Sequence, residues 1–277
     1  MDSDSHHANP RAIAAILLLG VALAGGGYLV GRGERPAPAP VETPANVPPV
    51  EPAAPPAPVV PPPLGRGDLI SLVAAATDAY AEGRDLTADE QRAGRRFEIR
   101  IPFGCGGPSK EQLDPLGWSY DEQTETLRLR ATPQQWADEP WIETRLEGSD
   151  IESVEGFWIP RPWTSSEACP RTADATPGDP SNVLGIAHFF DPDSPRRGQR
   201  GDRAFESVKK MEPEGLKPGA GFRLLLEGRL AALPKGGTVI CHGEATYRRP
   251  TCLISAEFDR VAIENPADGD LLAEWQL

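Results

Sequence analysis

The chain has 277 residues, of which 41 are acidic and 28 are Lys or Arg, so its formal net charge is −13 at pH 7. An excess of acid on this scale argues against nucleic acid as a partner and against adhesion to an anionic membrane surface. Positions 1–63 hold three arginines and five acidic side chains, so positions 64–277 keep a net charge of −11. That remainder is long enough for one large domain or two small ones with an adequate core.

The first element is an uncharged apolar run, Ala12–Val30, which follows a short N-terminal tail, residues 1–11. As a helix it would be roughly 28 Å long, close to the hydrocarbon thickness of a bilayer, so we expect an uncleaved transmembrane anchor. The alternative is a signal peptide, because the Ala-Leu-Ala of residues 22–24 fits a cleavage site. Either interpretation exports the rest of the chain.

The charges beside this run leave its orientation less clear. Arg11 precedes it while Arg32 and Arg35 follow it, so a count of positive charges alone would keep the C-terminal side in the cytoplasm. The very short N-terminal tail, the spacer-like tract that follows and an even number of cysteines favour export. We therefore expect a single-pass protein of the inner (plasma) membrane, in contact with the bilayer through Ala12–Val30, with its C-terminal domain in the periplasm.

A proline-rich tract, Pro36–Pro63, comes next, in which nearly every second residue is proline and only Glu42 and Glu51 are charged. Proline fixes φ and removes a backbone donor, so neither helix nor sheet is expected here. We predict a disordered, semi-rigid spacer with a reach of roughly 60–85 Å in the polyproline II conformation.

Residues 66–93 are predicted to be helical. Apolar residues recur at helical spacing from Asp68, the expected N-cap, to Glu82. A capping-box pattern, with Thr87 and Glu90, predicts a second helical turn over Thr87–Ala93.

Residues 95–277 are predicted to form a β-rich domain, because the apolar period changes from helical spacing to alternation at Phe97, Ile99, Ile101 and Phe103. Short strand-like segments separated by Gly, Pro, Asp and Ser favour a mainly β fold, an antiparallel β-sandwich or a barrel-like domain. The further predicted strands are Trp118–Tyr120, Leu127–Ala131, Trp141–Leu146, Gly156–Ile159, Val183–Phe190, Phe222–Leu233, Thr238–Glu244, Cys252–Ile263 and Leu271–Trp275.

Four cysteines lie in this domain, and none is spaced as C-x-x-C. In an exported domain two disulfides are expected, and four cysteines permit three pairings. We favour Cys241 with Cys252, since both lie on strand-like segments that flank one turn, which leaves Cys105 with Cys169.

Two groups of side chains are candidates for binding. Trp158 and Trp163 lie in a proline-stiffened stretch and would contact a protein or stack on sugars if exposed; burial in the core is the alternative. A basic island on the acidic chain would meet an anionic partner, or is simply a solvated loop. It contains Arg196, Arg197, Arg200 and Arg203.

Signals for catalysis are weak. His188, Asp191 and Asp193 lie close together in sequence, and His242 lies on a later predicted strand, but no ligand spacing fixes a metal geometry. There is no G-x-S-x-G motif and no glycine-rich phosphate loop. We expect no catalytic residue, no metal and no cofactor.

The order of anchor, proline-rich spacer and exported β domain resembles that of envelope proteins of double-membraned bacteria, in architecture only. It favours a membrane-tethered, non-enzymatic domain that contacts a protein partner in the cell envelope. A domain that binds the cell wall or another glycan is the alternative. A hydrolase with a carboxylate or metal site is the third hypothesis.

Overall fold

The computed structural model describes residues 60–84, 92–109, 114–170, 182–243 and 248–277. The predicted anchor Ala12–Val30 lies outside these residues, as do nearly all of the spacer and most of the predicted turn Thr87–Ala93. Neither helix in the described part of the chain has the length and apolar character that a membrane crossing requires.

Two helices and eleven strands make up the described residues, so the prediction of a mainly β fold is confirmed. Two short 3₁₀ turns, Pro213–Gly215 and Pro218–Ala220, precede the eighth strand. In chain order the elements are α1 (Arg66–Ala81), β1 (Arg96–Phe103), β2 (Leu116–Asp121), β3 (Thr126–Ala131), β4 (Gln134–Gln135), α2 (Pro140–Leu146), β5 (Ser153–Trp158), β6 (Leu184–Phe190), β7 (Phe205–Lys210), β8 (Phe222–Leu230), β9 (Val239–His242), β10 (Thr251–Glu264) and β11 (Leu271–Gln276).

The long strand β10 organises the larger sheet, because its neighbours change half-way along it. Its first residues pair with β6 in parallel and with β9 in antiparallel fashion, and its later residues pair with β8 and β11. The Ser255 N–H donates to the Thr238 carbonyl at 2.8 Å, and the Ser255 carbonyl accepts from the Ala231 N–H at 3.0 Å. Strands β8 and β9 therefore follow each other along one side of β10. The parallel β6–β10 pair makes the sheet mixed, which corrects the prediction of a purely antiparallel fold.

The main core lies on one face of this sheet. The strands of this sheet follow the order β1-β8-β10-β6-β5-β4. Ile99, Leu226 and Val261 lie side by side on the face that the core covers. The second sheet, in the order β2-β3-β7, contributes Leu127 and Leu129 to the same core. Burying such side chains stabilises each by about 2 kcal/mol relative to exposure, so the two sheets are held together mainly by this contact.

Helix α1 covers another part of the same core, through the fully buried Leu69, Leu72 and Ala76. It begins two residues before the predicted Asp68. The Asp68 carboxylate instead accepts a hydrogen bond from the Gly65 N–H at 2.9 Å and so closes the first turn. The residue before that turn, Leu64, forms a parallel bridge with Phe97 and thereby joins the start of the domain to β1.

Helix α2 corrects the prediction of a strand over Trp141–Leu146. Pro140 occupies the first helical position, where its fixed φ favours a helix and its missing N–H costs nothing. Ile142 is the buried residue of this helix and packs with Trp136 and Leu253 in a second, smaller core. A segment this short cannot distinguish a helix from a strand by its apolar spacing.

Strand β7 was not predicted at all. Only Phe205 at its start is buried, and Val208, Lys209 and Lys210 are exposed. The strand pairs with β3 along its whole length at the edge of the smaller sheet. Its sequence carries little apolar alternation because Phe205 is its only buried residue.

The four cysteines form two disulfides, Cys105 with Cys169 and Cys241 with Cys252, which is the pairing favoured from the sequence. Cys241 and Cys252 are direct partners in the β9–β10 register. The other bridge joins the residues after β1 to the segment after β5, over 64 positions of sequence.

The outer face of the larger sheet carries an ion-pair network. Arg100 contacts Glu264 at 2.8 Å and Glu98 at 2.7 Å, while Arg260 contacts Glu227 at 2.7 Å and Glu274 at 3.0 Å. Burial lowers the pKa of both arginines, but these hydrogen bonds outweigh it and hold each pKa above its ordinary value. The charges on this face are therefore largely satisfied within the domain.

Candidate functional site

The segment that follows β5, residues 159–170, is called here the tryptophan loop. Ile159 and Pro162 within it are buried, whereas the indole of Trp163 is 57% exposed. Large aromatic side chains are seldom left this accessible, and when they sit on a fixed backbone they are typical of contact surfaces.

Arg66, the first residue of α1, binds the backbone of the tryptophan loop through hydrogen bonds. Its side chain is only 3% exposed, and its Nε donates to the Thr164 carbonyl at 2.9 Å. Its Nη2 donates to the carbonyls of Arg161, at 3.1 Å, and of Pro160. Burial lowers the pKa of Arg66, and repulsion from Arg161 lowers it further. One guanidinium thus fixes three carbonyls of a loop that is distant in sequence.

Two further contacts fix the second half of the loop. The Glu167 carboxylate accepts a hydrogen bond from the Arg100 N–H at 2.9 Å, on the open edge of β1. Cys169 is bonded to Cys105 just beyond the end of the same strand. The tryptophan loop is therefore attached to α1, to the edge of β1 and to the segment after β1.

The two candidate tryptophans stand in different environments. Trp158, the last residue of β5, is half-buried, and its ring meets that of Trp136 edge-on, with centroids 5.0 Å apart. It packs against the second core, while Trp163 extends into solvent. The structure therefore leaves one indole of the pair exposed, rather than two that share a platform.

The arginine loop, residues 196–203, is held by contacts within the loop and by neighbouring residues of the domain. Arg196 forms an ion pair with Glu152 at 3.0 Å, and the Arg200 guanidinium lies 4.4 Å from the centre of the Phe205 ring. Arg203 donates to the carbonyls of Arg200 and Gln199. The remaining member, Arg197, is exposed.

Glu155 fixes the backbone of the arginine loop from below. This residue of β5 is 4% exposed, and its carboxylate accepts hydrogen bonds from the N–H groups of Arg200, at 2.7 Å, and Gly201, at 3.1 Å. Burial lowers the pKa of Arg200, and repulsion from the neighbouring Arg203 lowers it further. Three of the four candidate arginines thus have structural contacts, and these contacts favour the interpretation as an ordered surface loop.

No group of three or more His, Cys, Asp or Glu residues lies within metal-binding reach in the part of the chain that the structure describes. His188 stacks on Phe190, with ring centroids 3.8 Å apart. Asp191 accepts a hydrogen bond from the Ser194 hydroxyl at 2.8 Å, which lowers the pKa of that carboxyl group. His242 stacks instead on Trp141, 5.5 Å away. The two histidines therefore have separate aromatic partners.

Burial of His188 has a measurable consequence for acid stability. Burial lowers its pKa to about 4, against a small opposing effect from Asp191. In the unfolded chain His188 is protonated below about pH 6.5, whereas in the folded chain it is protonated only near pH 4. The free energy of unfolding therefore falls as the pH falls from about 6.5 to about 4. We expect His188→Phe to remove about 2 kcal/mol of the loss in unfolding free energy between pH 7 and pH 5. Urea unfolding of the wild type and the variant at pH 7 and at pH 5 measures this change in unfolding free energy.

The matched control for this prediction is His242→Phe, which keeps an aromatic ring beside Trp141. It removes an imidazole while His188 stays in place, so it shows what the loss of a histidine elsewhere does to the difference between pH 7 and pH 5. A His188→Phe variant with an unchanged pH dependence would show that this imidazole accepts a proton as easily in the folded chain as in the unfolded one.

No protein-family model, curated protein or solved structure matches this chain.

Two residues that build these surfaces were missed in the sequence. Arg66 resembles any charged residue at the start of a helix, and Glu155 is one carboxylate in a segment rich in acids. Each bonds to a loop that is distant in sequence, and no local pattern records such contacts. In the sequence, only the apolar residues near Glu155, namely Val154, Phe157 and Trp158, indicate that it lies in a buried strand.

Proposed function

We propose that this chain is a membrane-tethered, non-enzymatic binding domain that contacts a protein partner in the bacterial envelope through Trp163. In this proposal Ala12–Val30 anchors the chain in the inner membrane, and Pro36–Pro63 holds residues 95–277 away from it in the periplasm. The observation that carries the proposal is the exposed indole of Trp163 on a loop whose backbone is fixed at both ends.

The physical argument is one of pre-organisation. An indole buries a large apolar area when a partner covers it, and tryptophan is enriched among the residues that dominate binding energy at interfaces. Ordering a mobile loop would offset part of this gain. The contacts of Arg66 and Glu167 order the loop before any partner binds. Binding therefore does not have to order the loop.

Binding of a glycan is the second candidate, because a sugar ring would stack on the same exposed indole. The packing of Trp158 against Trp136 disfavours a sugar platform made by the two tryptophans together. The two candidates differ in what Trp163 captures, and one experiment separates them.

The test is capture by the full-length chain in its native membrane after chemical cross-linking, with mass spectrometry of the bound material. We expect Trp163→Ala to lower the yield of one abundant envelope protein at least tenfold, because a central interface tryptophan typically contributes about 2 kcal/mol or more. The matched control is Val208→Ala, since Val208 is also 57% exposed but lies on the smaller sheet.

Both variants are expected to unfold within about 0.5 kcal/mol of the wild type, since neither removes a buried contact. Equal capture by Trp163→Ala and the wild type would contradict the proposal. Loss of retention on isolated cell-wall sacculi, with protein capture unchanged, would establish the glycan candidate instead.

A further inference from the structure

A second surface lies away from the tryptophan loop, in a cleft between the end of α1, the end of α2 and the turn that joins β8 to β9. Its volume is about 520 Å³, which is in the range of small-molecule sites. We call it the cationic cleft. Its lining includes Arg84, Arg145, Leu146, Leu233, Lys235 and Ile240.

The charge of this cleft is opposite to that of the chain. Three cations line it, Arg84, Arg145 and Lys235, and none of the described residues that line it is acidic. In a chain with 41 acidic and 28 basic residues, a cleft whose charged lining residues are all cations, among those that the structure describes, is unexpected. Arg84 forms an exposed ion pair with Glu82, so of the three cations it is the least available to a ligand.

The other two cations line the cleft as exposed side chains and have no acidic partner among the described residues. Arg145 lies in the last turn of α2, where its Nη2 is 3.4 Å from the Cys241 carbonyl, and its remaining N–H groups are left for a ligand. Lys235 lies in the turn after β8, beside Gly236 and Gly237, which both have positive φ. In the described residues neither Arg145 nor Lys235 forms an ion pair.

The walls of the cleft are apolar and fixed. Leu233 is 5% exposed, and Leu146 and Ile240 pack against the second core. The hydroxyl of Tyr80, on α1, accepts a hydrogen bond from the Gly243 N–H at 2.9 Å, which ties the helix to the end of β9. A ligand would therefore meet apolar side chains as well as the three cations.

We propose that the cationic cleft binds a small molecule that carries two or more oxyanion groups, carboxylate or phosphate. Arg145 offers the planar donors that match an oxyanion with two hydrogen bonds, and Lys235 supplies a point charge on a flexible chain. The apolar walls contact the carbon framework between the anionic groups. Trp163 is not among the lining residues, so this site is separate from the one proposed for the partner.

Isothermal titration of the full-length chain tests this site with citrate and pyrophosphate as separate probes, at ionic strength matched with sodium chloride. We expect saturable binding of at least one probe, and the preferred probe identifies the ligand as carboxylate or phosphate. The double variant Arg145→Gln/Lys235→Gln is expected to weaken that affinity at least tenfold, since it removes both charged donors that would bind the anionic groups.

The matched control is Arg128→Gln/Lys209→Gln, which removes two positive charges from the smaller sheet, outside the cleft. It is expected to bind within twofold of the wild type. Equal affinity of the two double variants would overturn the proposal, as would the absence of saturable binding of either probe at millimolar concentration. Capture of a partner through Trp163 is expected to be unchanged in the cleft variant, so failure of one site is distinguishable from failure of the other.

Discussion

Replacement of Cys105 and Cys169 by alanine is expected to lower the free energy of unfolding by about 4 kcal/mol, the largest effect anticipated for this chain. The bridge spans 64 positions, so its loss restores considerable freedom to the unfolded chain. It also releases the end of the tryptophan loop from the segment after β1. Urea unfolding of the full-length chain, followed by far-UV circular dichroism, measures the difference.

The matched control is the double replacement of Cys241 and Cys252 by alanine, because that bridge spans only 11 positions. Loop closure alone gives it about 3 kcal/mol. An unfolding midpoint of the Cys105/Cys169 variant equal to that of the wild type would contradict the prediction. It would mean that Arg66 and Glu167 hold the loop without help from the disulfide.

Arg66→Ala is expected to cost about 3 kcal/mol of unfolding free energy, because it leaves carbonyls of Pro160, Arg161 and Thr164 without their buried donor. Arg66→Lys is expected to recover only part of this loss. A single ammonium cannot reproduce the planar set of donors that reaches several carbonyls at once. Limited proteolysis of the full-length chain is expected to cut the tryptophan loop faster in Arg66→Ala.

Arg96→Ala is the matched control for Arg66→Ala, since Arg96 begins β1 and is exposed. It is expected to change the unfolding free energy by less than about 0.5 kcal/mol. If Arg66→Ala were equally mild, the loop would not depend on this guanidinium. Reduced capture of a partner by Arg66→Ala, under conditions where it stays folded, would support the argument that binding through Trp163 needs an ordered loop.

Local patterns predicted much of the fold. Alternation from Phe97 to Phe103 predicted β1, because a strand with one buried face must place every second side chain inward. Helical spacing predicted α1 to within two residues at its start and one at its end. The favoured pairing of Cys241 with Cys252 depended only on two strands joined by a turn. These features concern residues that are close in sequence, so their own spacing contains the information.

Other features could not be predicted, because their cause lies in distant residues. Strand β7 is stabilised by pairing with β3, which lies far earlier in the chain, and its own side chains show little pattern. Helix α2 forms because Ile142 fills the second core beside Trp136 and Leu253. The parallel pairing of β6 with β10 brings together two segments that β7, β8 and β9 separate in sequence, and neither segment by itself indicates its direction.

The sequence by itself therefore determined the acidic charge, the apolar run Ala12–Val30, the proline-rich tract, a mainly β domain and the favoured cysteine pairing. Only the tertiary structure decided which tryptophan is exposed, since Trp158 and Trp163 share one proline-rich stretch but only Trp158 meets Trp136. It also decided where the cations gather, because Arg145 comes from the last turn of α2 and Lys235 from the turn after β8. Exposure and convergence depend on what packs against a residue, and that packing is a property of the whole folded chain.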